Sequence, residues 1–196
     1  EVLDELLNVV ASAVGSLSNP TRLSNTFQSV KGLKIKNETI STYLDCFIDA
    51  YILSKSYRYD IKGRSYIDTP LKYYFTDIGL RNVRLNFRQQ EENHIMENII
   101  YNELIARGFN VDVGVVEYNY TDENGKKIRT QLEVDFVVNR TDKRYYIQSA
   151  LTVADEEKRQ QETNSLNRID DSYTKIVVVR DNVLPWIDEK GVQYIN

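Results

Sequence analysis

The sequence predicts an α/β protein, α+β overall, in which an N-terminal winged helix-turn-helix precedes an α/β domain with a mixed sheet. Apolar residues recur at helical spacing in three segments of the first 51 residues. Two strand-like segments joined by a basic turn come next. Beyond residue 90, helical and strand-like segments alternate. We therefore expect two domains, residues 1–80 and residues 81–196.

Three helices are predicted in the first domain. The first covers about residues 1–15, where Leu6, Leu7 and Val10 belong to one apolar stripe. The second begins at Asn19-Pro20, a capping side chain followed by a proline at the first helical position, and ends near residue 32. Asn37 is the predicted N-cap of the third helix, whose apolar residues are Ile40, Tyr43, Leu44, Phe47, Ile48 and Tyr51.

A two-stranded wing follows these helices. Residues 52–59 alternate like a strand, residues 62–64 turn, and residues 71–75 pair back. In a winged helix the third helix enters the major groove of double-stranded DNA and the wing lies along phosphates. The predicted nucleic-acid-binding residues are Lys36, Thr39, Lys55, Arg58, Lys62 and Arg64. Acidic residues on the third helix oppose DNA contact, so protein docking remains an open alternative.

The second domain begins with a helix at residues 93–107, for which we predict that Ile95, Ile99, Ile100, Leu104 and Ile105 face inward. Strands at 111–118, 127–138 and 145–152 follow, and a turn at 122–125 separates the first two. A helix at 155–167 and a strand at 175–180 complete the α/β layer.

The strands at 127–138 and 145–152 form a hairpin that resembles the PD-(D/E)XK nucleases. Those enzymes carry an Asp on the first strand and Glu-x-Lys on the second. Here Asp135 occupies the first position, whereas the second reads Gln148-x-Ala150. The resemblance also implies a helix ligand, Glu97, and Glu133 shares the sheet face of Asp135. The predicted metal ligands, for Mg²⁺, are therefore Glu97, Glu133 and Asp135.

The missing lysine weighs against hydrolysis. A metal nuclease needs a cation or base to prepare the attacking water, and Ala150 provides neither. Loss of one charge-stabilising group at such a site typically slows a reaction by about two to three orders of magnitude. The resemblance therefore implies a degenerate site with no catalytic residues, unless another lysine reaches it.

A second resemblance spans nearly the whole chain. Helix, strand, hairpin, helix, strand is the core order of the restriction-endonuclease-like fold. Three segments in this order are similar to the uncharacterised C-terminal region of prokaryotic AAA+ ATPases: residues 73–81 (YYFTDIGLR), 97–104 (ENIIYNEL) and 133–137 (EVDFV). No Gly-x-x-x-x-Gly-Lys-[Ser/Thr] sequence occurs, so ATP is expected only in a missing N-terminal module of the same polypeptide.

Composition sets further bounds. Residues 1–90 carry 12 Lys+Arg against 9 Asp+Glu, and residues 91–196 carry 13 against 20. The first part is therefore the better candidate for nucleic acid. The single cysteine, Cys46, excludes an intrachain disulfide and favours a reducing cytoplasm. No apolar run approaches the roughly 18 residues needed to cross a bilayer, and neither a membrane partner nor secretion is expected. The chain begins without Met and is expected to be a fragment.

These observations leave three functional hypotheses. The first is a DNA-interaction or regulatory module of an AAA+ ATPase, with a nuclease-like domain that has lost its lysine. The second is a Mg²⁺-dependent nuclease whose lysine lies elsewhere in the chain. The third is a protein-docking or oligomerisation module. The cofactor prediction is none for this chain, apart from Mg²⁺ under the second hypothesis.

Overall fold

Residues 2–88 and 91–196 are described by the computed structural model, and within them the chain forms six α-helices and eight strands. Residue 1, where the first predicted helix begins, lies outside this range. Two compact units divide the chain, which we call unit 1 (Glu1–Tyr57 with Asp68–Asn102) and unit 2 (Arg58–Ile67 with Glu103–Asn196).

Unit 1 starts with three helices, α1 (Val2–Ser12), α2 (Pro20–Lys31) and α3 (Asn37–Asp49). The cap of α2 is confirmed, because the Asn19 side chain accepts a hydrogen bond from the Arg22 amide. The cap predicted for α3 is wrong. Lys36 holds the N-cap position without a capping side chain, and the Asn37 side chain donates to Thr21 instead. The helices enclose an apolar core that includes Leu6, Val10, Leu23, Phe27, Ile40, Leu44 and Phe47.

The predicted wing is the hairpin of β1 (Leu53–Asp60) and β2 (Ser65–Phe75), and its residues are shared between the two units. Its base belongs to unit 1, which also contains α4 (Ile78–Arg84) and most of α5 (Glu92–Ala106). Its tip, residues 58–67, belongs to unit 2, where residues 58–60 pair in parallel with residues 113–115. The wing is therefore not a free hairpin, because strand pairing holds its tip.

The inward face predicted for α5 is only partly right. Ile95, Ile100 and Leu104 are half-buried, whereas Ile99 is 52% exposed and Ile105 is 42% exposed. The fully buried residues are Glu97, Asn98 and Tyr101, and polar contacts within unit 1 explain why polar side chains are among them. The Asn98 side chain accepts from the Phe75 amide and donates to the Phe75 carbonyl, and Asn102 donates to the same carbonyl. These bonds group the helix with β2, so the observed division differs from the one predicted at residue 80.

Unit 2 contains the remaining strands: β3 (Asn110–Thr121), β4 (Lys127–Arg140), β5 (Lys143–Ala150), β6 (Thr174–Val179), β7 (Trp186–Ile187) and β8 (Val192–Ile195). Strand neighbours run in the order β2-β1-β3-β4-β5-β6-β8-β7. Parallel and antiparallel pairs both occur, which confirms a mixed sheet in an α+β protein. The predicted final helix is shorter than expected, because α6 (Glu156–Thr163) gives way to a 3₁₀ turn at Leu166–Arg168.

Candidate functional site

The β4–β5 hairpin forms as predicted. Within it, the Asp135 carboxylate of β4 is hydrogen-bonded to Ser149 of β5. Asp135 is 7% exposed, and its Oδ2 accepts hydrogen bonds from the Ser149 amide at 2.8 Å and the Ser149 hydroxyl at 2.7 Å. The side-chain carbonyl of Gln148 accepts from the Asp135 backbone amide at 3.3 Å. The two bonds from Ser149 stabilise the buried carboxylate.

Ala150, at the position of the nuclease lysine, is buried in the core of unit 2. Its carbonyl accepts from the Arg180 amide at 3.0 Å, as part of the pairing with β6. A methyl group in this place adds packing and offers no donor, acceptor or charge. The position is therefore a core position in this protein.

Glu97 belongs to unit 1 and forms a buried polar cluster there. Its Oε1 lies 2.7 Å from the Lys72 ammonium and 2.6 Å from the Tyr74 hydroxyl. The Tyr74 ring stacks on Tyr101 with 4.1 Å between centroids. A carboxylate bound by an ammonium and a hydroxyl has its charge balanced inside the unit.

The predicted metal ligands receive no support as a group. Glu133 lies half-buried on β4, opposite Val115. Across residues 2–88 and 91–196, no three or more His, Cys, Asp or Glu side chains are placed to hold a metal ion. The Mg²⁺ site of Glu97, Glu133 and Asp135 stays a prediction.

An ion pair on α6 was missed by the sequence analysis. Lys158 Nζ lies 3.6 Å from Glu162 Oε1. Burial raises the pKa of the Glu162 carboxyl above its usual value, the charge of Lys158 lowers it, and the charge of Asp135 raises it. Glu162 is therefore within electrostatic range of Asp135. The i, i+4 spacing of Lys158 and Glu162 is that of an ordinary helix pair, so no sequence pattern indicated this influence of Asp135.

The nucleic-acid residues predicted in unit 1 are only partly accessible. Lys36 is exposed directly before α3, and Thr39 is half-buried. The Lys55 ammonium lies 5.7 Å from the centre of the Tyr57 ring. The exposed surface of α3 carries Glu38, Asp45 and Asp49. This acidic surface would repel phosphates, which disfavours α3 as a recognition helix.

The other three predicted residues lie in unit 2 near the tip of the hairpin. Arg58 donates to the Gln131 side chain at 3.0 Å. Lys62 and Arg64 are exposed in the turn between β1 and β2. The Asp60 carboxylate accepts from the backbone amides of residues 62 and 63 and fixes the turn. The two cations therefore extend from an ordered turn.

A groove of about 1270 Å³ lies beside this turn, entirely within unit 2, and we refer to it as the groove. Its walls are the turn, the middle of β3, the facing part of β4, the start of β5 and residues 167–173. Five cationic side chains line it, against four carboxylates. The cations are Lys62, Arg64, Arg129, Arg144 and Arg168, and the carboxylates are Asp60, Glu117, Asp170 and Asp171.

Two arginines in the groove are held in place by aromatic rings and asparagines. The Arg168 guanidinium lies 3.9 Å from the centre of the Tyr118 ring, and its Nε donates to Asn164 at 3.1 Å. The Arg144 guanidinium lies 5.4 Å from the Tyr59 ring and 5.2 Å from the Tyr173 ring, and its Nε donates to an Asn139 oxygen. Stacking and a bond at Nε fix the plane of each guanidinium.

Sequence reasoning found only the turn of this groove. The groove residues come from segments between positions 59 and 173, and no local pattern connects them. The basic turn at residues 62–64 was the only sequence signal, and it was predicted as the turn of a DNA-binding wing. Pairing of β1 with β3 is what brings the turn to the groove.

Comparison with known proteins finds two similarities. Residues 1–91 match a family model described as "Domain of unknown function (DUF8612)". An uncharacterized protein of Haemophilus influenzae is 33% identical over 177 residues, which cover 90% of this chain and 40% of that protein. The chain thus spans less than half the length of this relative. No solved structure matches this chain. No helix in the described ranges is long and apolar enough to span a membrane.

Proposed function

We propose that this chain is a non-hydrolytic nucleic-acid-interaction module of a longer protein that contains an AAA+ ATPase module. The observation that carries the proposal is the groove, where the basic turn adjoins arginines already fixed by stacking. Nucleic-acid-binding surfaces commonly combine cationic side chains with aromatic rings.

The absence of a hydrolytic site rests on the nuclease-like positions. The Asp135 carboxylate is bound by Ser149, Glu97 is paired with Lys72, and Ala150 lies in the core. Each residue of the degenerate motif thus has a structural role. Under this proposal the domain uses a nuclease-like fold only as a scaffold for binding.

The ATPase association rests on the motif resemblance and on length. More than half of the Haemophilus influenzae relative lies outside the matched region, which leaves room for a further domain. The chain has no phosphate-binding loop of its own. We propose that nucleotide hydrolysis belongs to the other part of the longer protein and that this chain regulates or directs it.

Binding through the turn is tested by Lys62→Ala combined with Arg64→Ala. We expect nucleic-acid affinity to fall and the slope of log K against log salt to decrease by about two, since two phosphate contacts are lost. Fluorescence anisotropy at several salt concentrations measures both quantities.

A matched control removes the same charge elsewhere in unit 2. Lys126 and Lys127 are exposed in the β3–β4 turn and do not line the groove. Lys126→Ala with Lys127→Ala should leave the slope unchanged. Equal effects of the two double variants would refute the turn as the contact. Absence of binding at low salt would favour the protein-docking hypothesis instead.

A metal-dependent nuclease is the second candidate, and the ion pair of Lys158 with Glu162 makes this lysine the candidate for the relocated one. The charge of Asp135 raises the pKa of Glu162, so the ion pair lies within electrostatic range of the motif. The carboxylates of Asp135 and Glu162 and the side-chain carbonyl of Gln148 are oxygen ligands of the kind that Mg²⁺ accepts. In that case Lys158 would assist the attacking water or offset phosphate charge.

Plasmid cleavage separates the two candidates. Under the first proposal, supercoiled plasmid incubated with this chain and Mn²⁺ should remain supercoiled on an agarose gel. Cleavage that is lost in both Asp135→Asn and Lys158→Ala would establish the nuclease. Cleavage that survives both substitutions would indicate a contaminating enzyme, because neither residue would then act on the DNA.

A further inference from the structure

We propose that the groove binds single-stranded nucleic acid, with the Arg168–Tyr118 stack as a platform for an unpaired base. The inference deepens the proposed function and rests on it. Four properties of the groove carry it: its charge balance, its polar groups, its fixed planar groups and its size.

Charge balance disfavours a duplex. The groove has five cations and four carboxylates, an excess of one positive charge. Glu117 is already paired with Arg129 and accepts from Gln131 as well. A DNA duplex presents one phosphate charge about every 1.7 Å along its axis, so a long duplex would meet carboxylates as often as cations. A short single strand needs only a few cations for its phosphates.

The remaining polar groups suit the edges of unpaired bases. Asp170 and Asn167 are exposed in the wall of the groove. Carboxylates and amides accept hydrogen bonds from the amino groups of bases, and amides also donate to ring nitrogens. Base pairing occupies these edges in a duplex, whereas single strands expose them. Carboxylates that would repel a duplex can therefore bind an unpaired strand.

The stacked arginines provide planar surfaces and phosphate donors. A base can stack on the Tyr118 ring or on the Arg168 guanidinium that covers it. The amino groups of a guanidinium held at Nε are positioned to bind a phosphate by two hydrogen bonds. Arg144, whose guanidinium lies 5.4 Å from the Tyr59 ring and 5.2 Å from the Tyr173 ring, provides a second cation beside aromatic rings in the same groove.

The volume fits more than one nucleotide. A pocket for a drug-sized ligand usually measures about 300–1,000 Å³. The groove measures about 1270 Å³, so it exceeds this range. We expect a short run of nucleotides to occupy it.

The test compares a fluorescein-labelled 15-mer DNA with its duplex and with an RNA of the same sequence, by anisotropy with the full chain. We expect the single strand to bind at least about tenfold more tightly than the duplex. Tyr118→Ala should weaken single-strand binding about 5- to 150-fold while leaving the salt slope unchanged, because a stacking contact is lost. Tyr118→Phe should retain the affinity. The RNA arm shows which single-stranded polymer is preferred.

The control replaces a tyrosine far more exposed than Tyr118. Tyr51 is 83% exposed, belongs to unit 1 and has a positive φ of 56°, which asparagine tolerates. Tyr51→Asn should leave binding unchanged, and circular dichroism confirms that each variant is folded. A duplex bound as tightly as the single strand overturns this inference and leaves the proposed function intact. Single-strand binding that resists both Tyr118→Ala and Arg168→Ala also overturns it. Failure of every probe to bind at low salt overturns the proposed function itself.

Discussion

Replacement of Glu97 with alanine is expected to lower the free energy of unfolding of unit 1 by about 3–5 kcal/mol. The Lys72 and Glu97 side chains are 3% and 8% exposed, and their charged atoms lie 2.7 Å apart. Removing the carboxylate leaves a buried ammonium without this partner and deprives the Tyr74 hydroxyl of its acceptor. Denaturant unfolding followed by far-UV circular dichroism, with hydrogen exchange at the α5 amides, measures the loss.

An exposed ion pair at the C-terminal end of α5, where unit 2 begins, provides the control. Glu103 and Arg107 are 59% and 66% exposed, and pairs of this kind contribute about 1 kcal/mol at most. Glu103→Ala should therefore change stability far less than Glu97→Ala. A double variant, Lys72→Met with Glu97→Leu, should regain most of the lost stability, since both charges of the buried pair are removed together. Equal effects of Glu97→Ala and Glu103→Ala would show that the buried pair is not what stabilises the unit.

Local patterns predicted much of the fold because local forces determine those elements. The Asn19-Pro20 start of α2 is an example, since a cap and a helix-compatible proline act within one turn. The β4–β5 hairpin is another, because its apolar strands and polar turn are contiguous. The mixed sheet was predicted from the alternation of helical and strand-like segments along the sequence.

Tertiary contacts determined what the sequence could not predict. The apolar pattern of α5 predicted a wholly apolar inner face, but the hydrogen bonds between Asn98 and Phe75 and the ion pair of Glu97 bury polar side chains instead of Ile99 and Ile105. The spacing of apolar residues predicts which face of a helix is buried by apolar packing. It cannot predict a buried polar face whose hydrogen-bond partners lie on a strand distant in sequence. The groove was missed for the same reason, because Arg144 and Arg168 meet their tyrosines only after the strands pair.

The Gly114→Ala variant is expected to destabilise unit 2 by about 1–3 kcal/mol through overpacking. A β-carbon at this position would lie 2.8 Å from Val134 Cβ, 2.9 Å from Val137 Cγ2 and 3.0 Å from Ile61 Cδ1. Val134 Cβ is attached to the backbone of β4, so the strand itself would have to move. The only tryptophan, Trp186, lies in unit 2 and stacks on Tyr194 with 4.0 Å between centroids. Its fluorescence during denaturant unfolding reports the loss of stability in this unit.

A double-mutant cycle tests whether the contact is the cause. Val137→Ala removes one of the two methyl groups that crowd the new β-carbon, at the cost of a small cavity. If overpacking is responsible, the Gly114→Ala/Val137→Ala double variant should lose less free energy of unfolding than the sum of the losses in the two single variants. The difference should be about 0.5–3 kcal/mol. Simple additivity would contradict the steric explanation. The α5 amides up to Asn102 belong to unit 1, so their hydrogen exchange should be the same in Gly114→Ala as in the unsubstituted protein. Faster exchange there would indicate a general loss of structure and not local overpacking in unit 2.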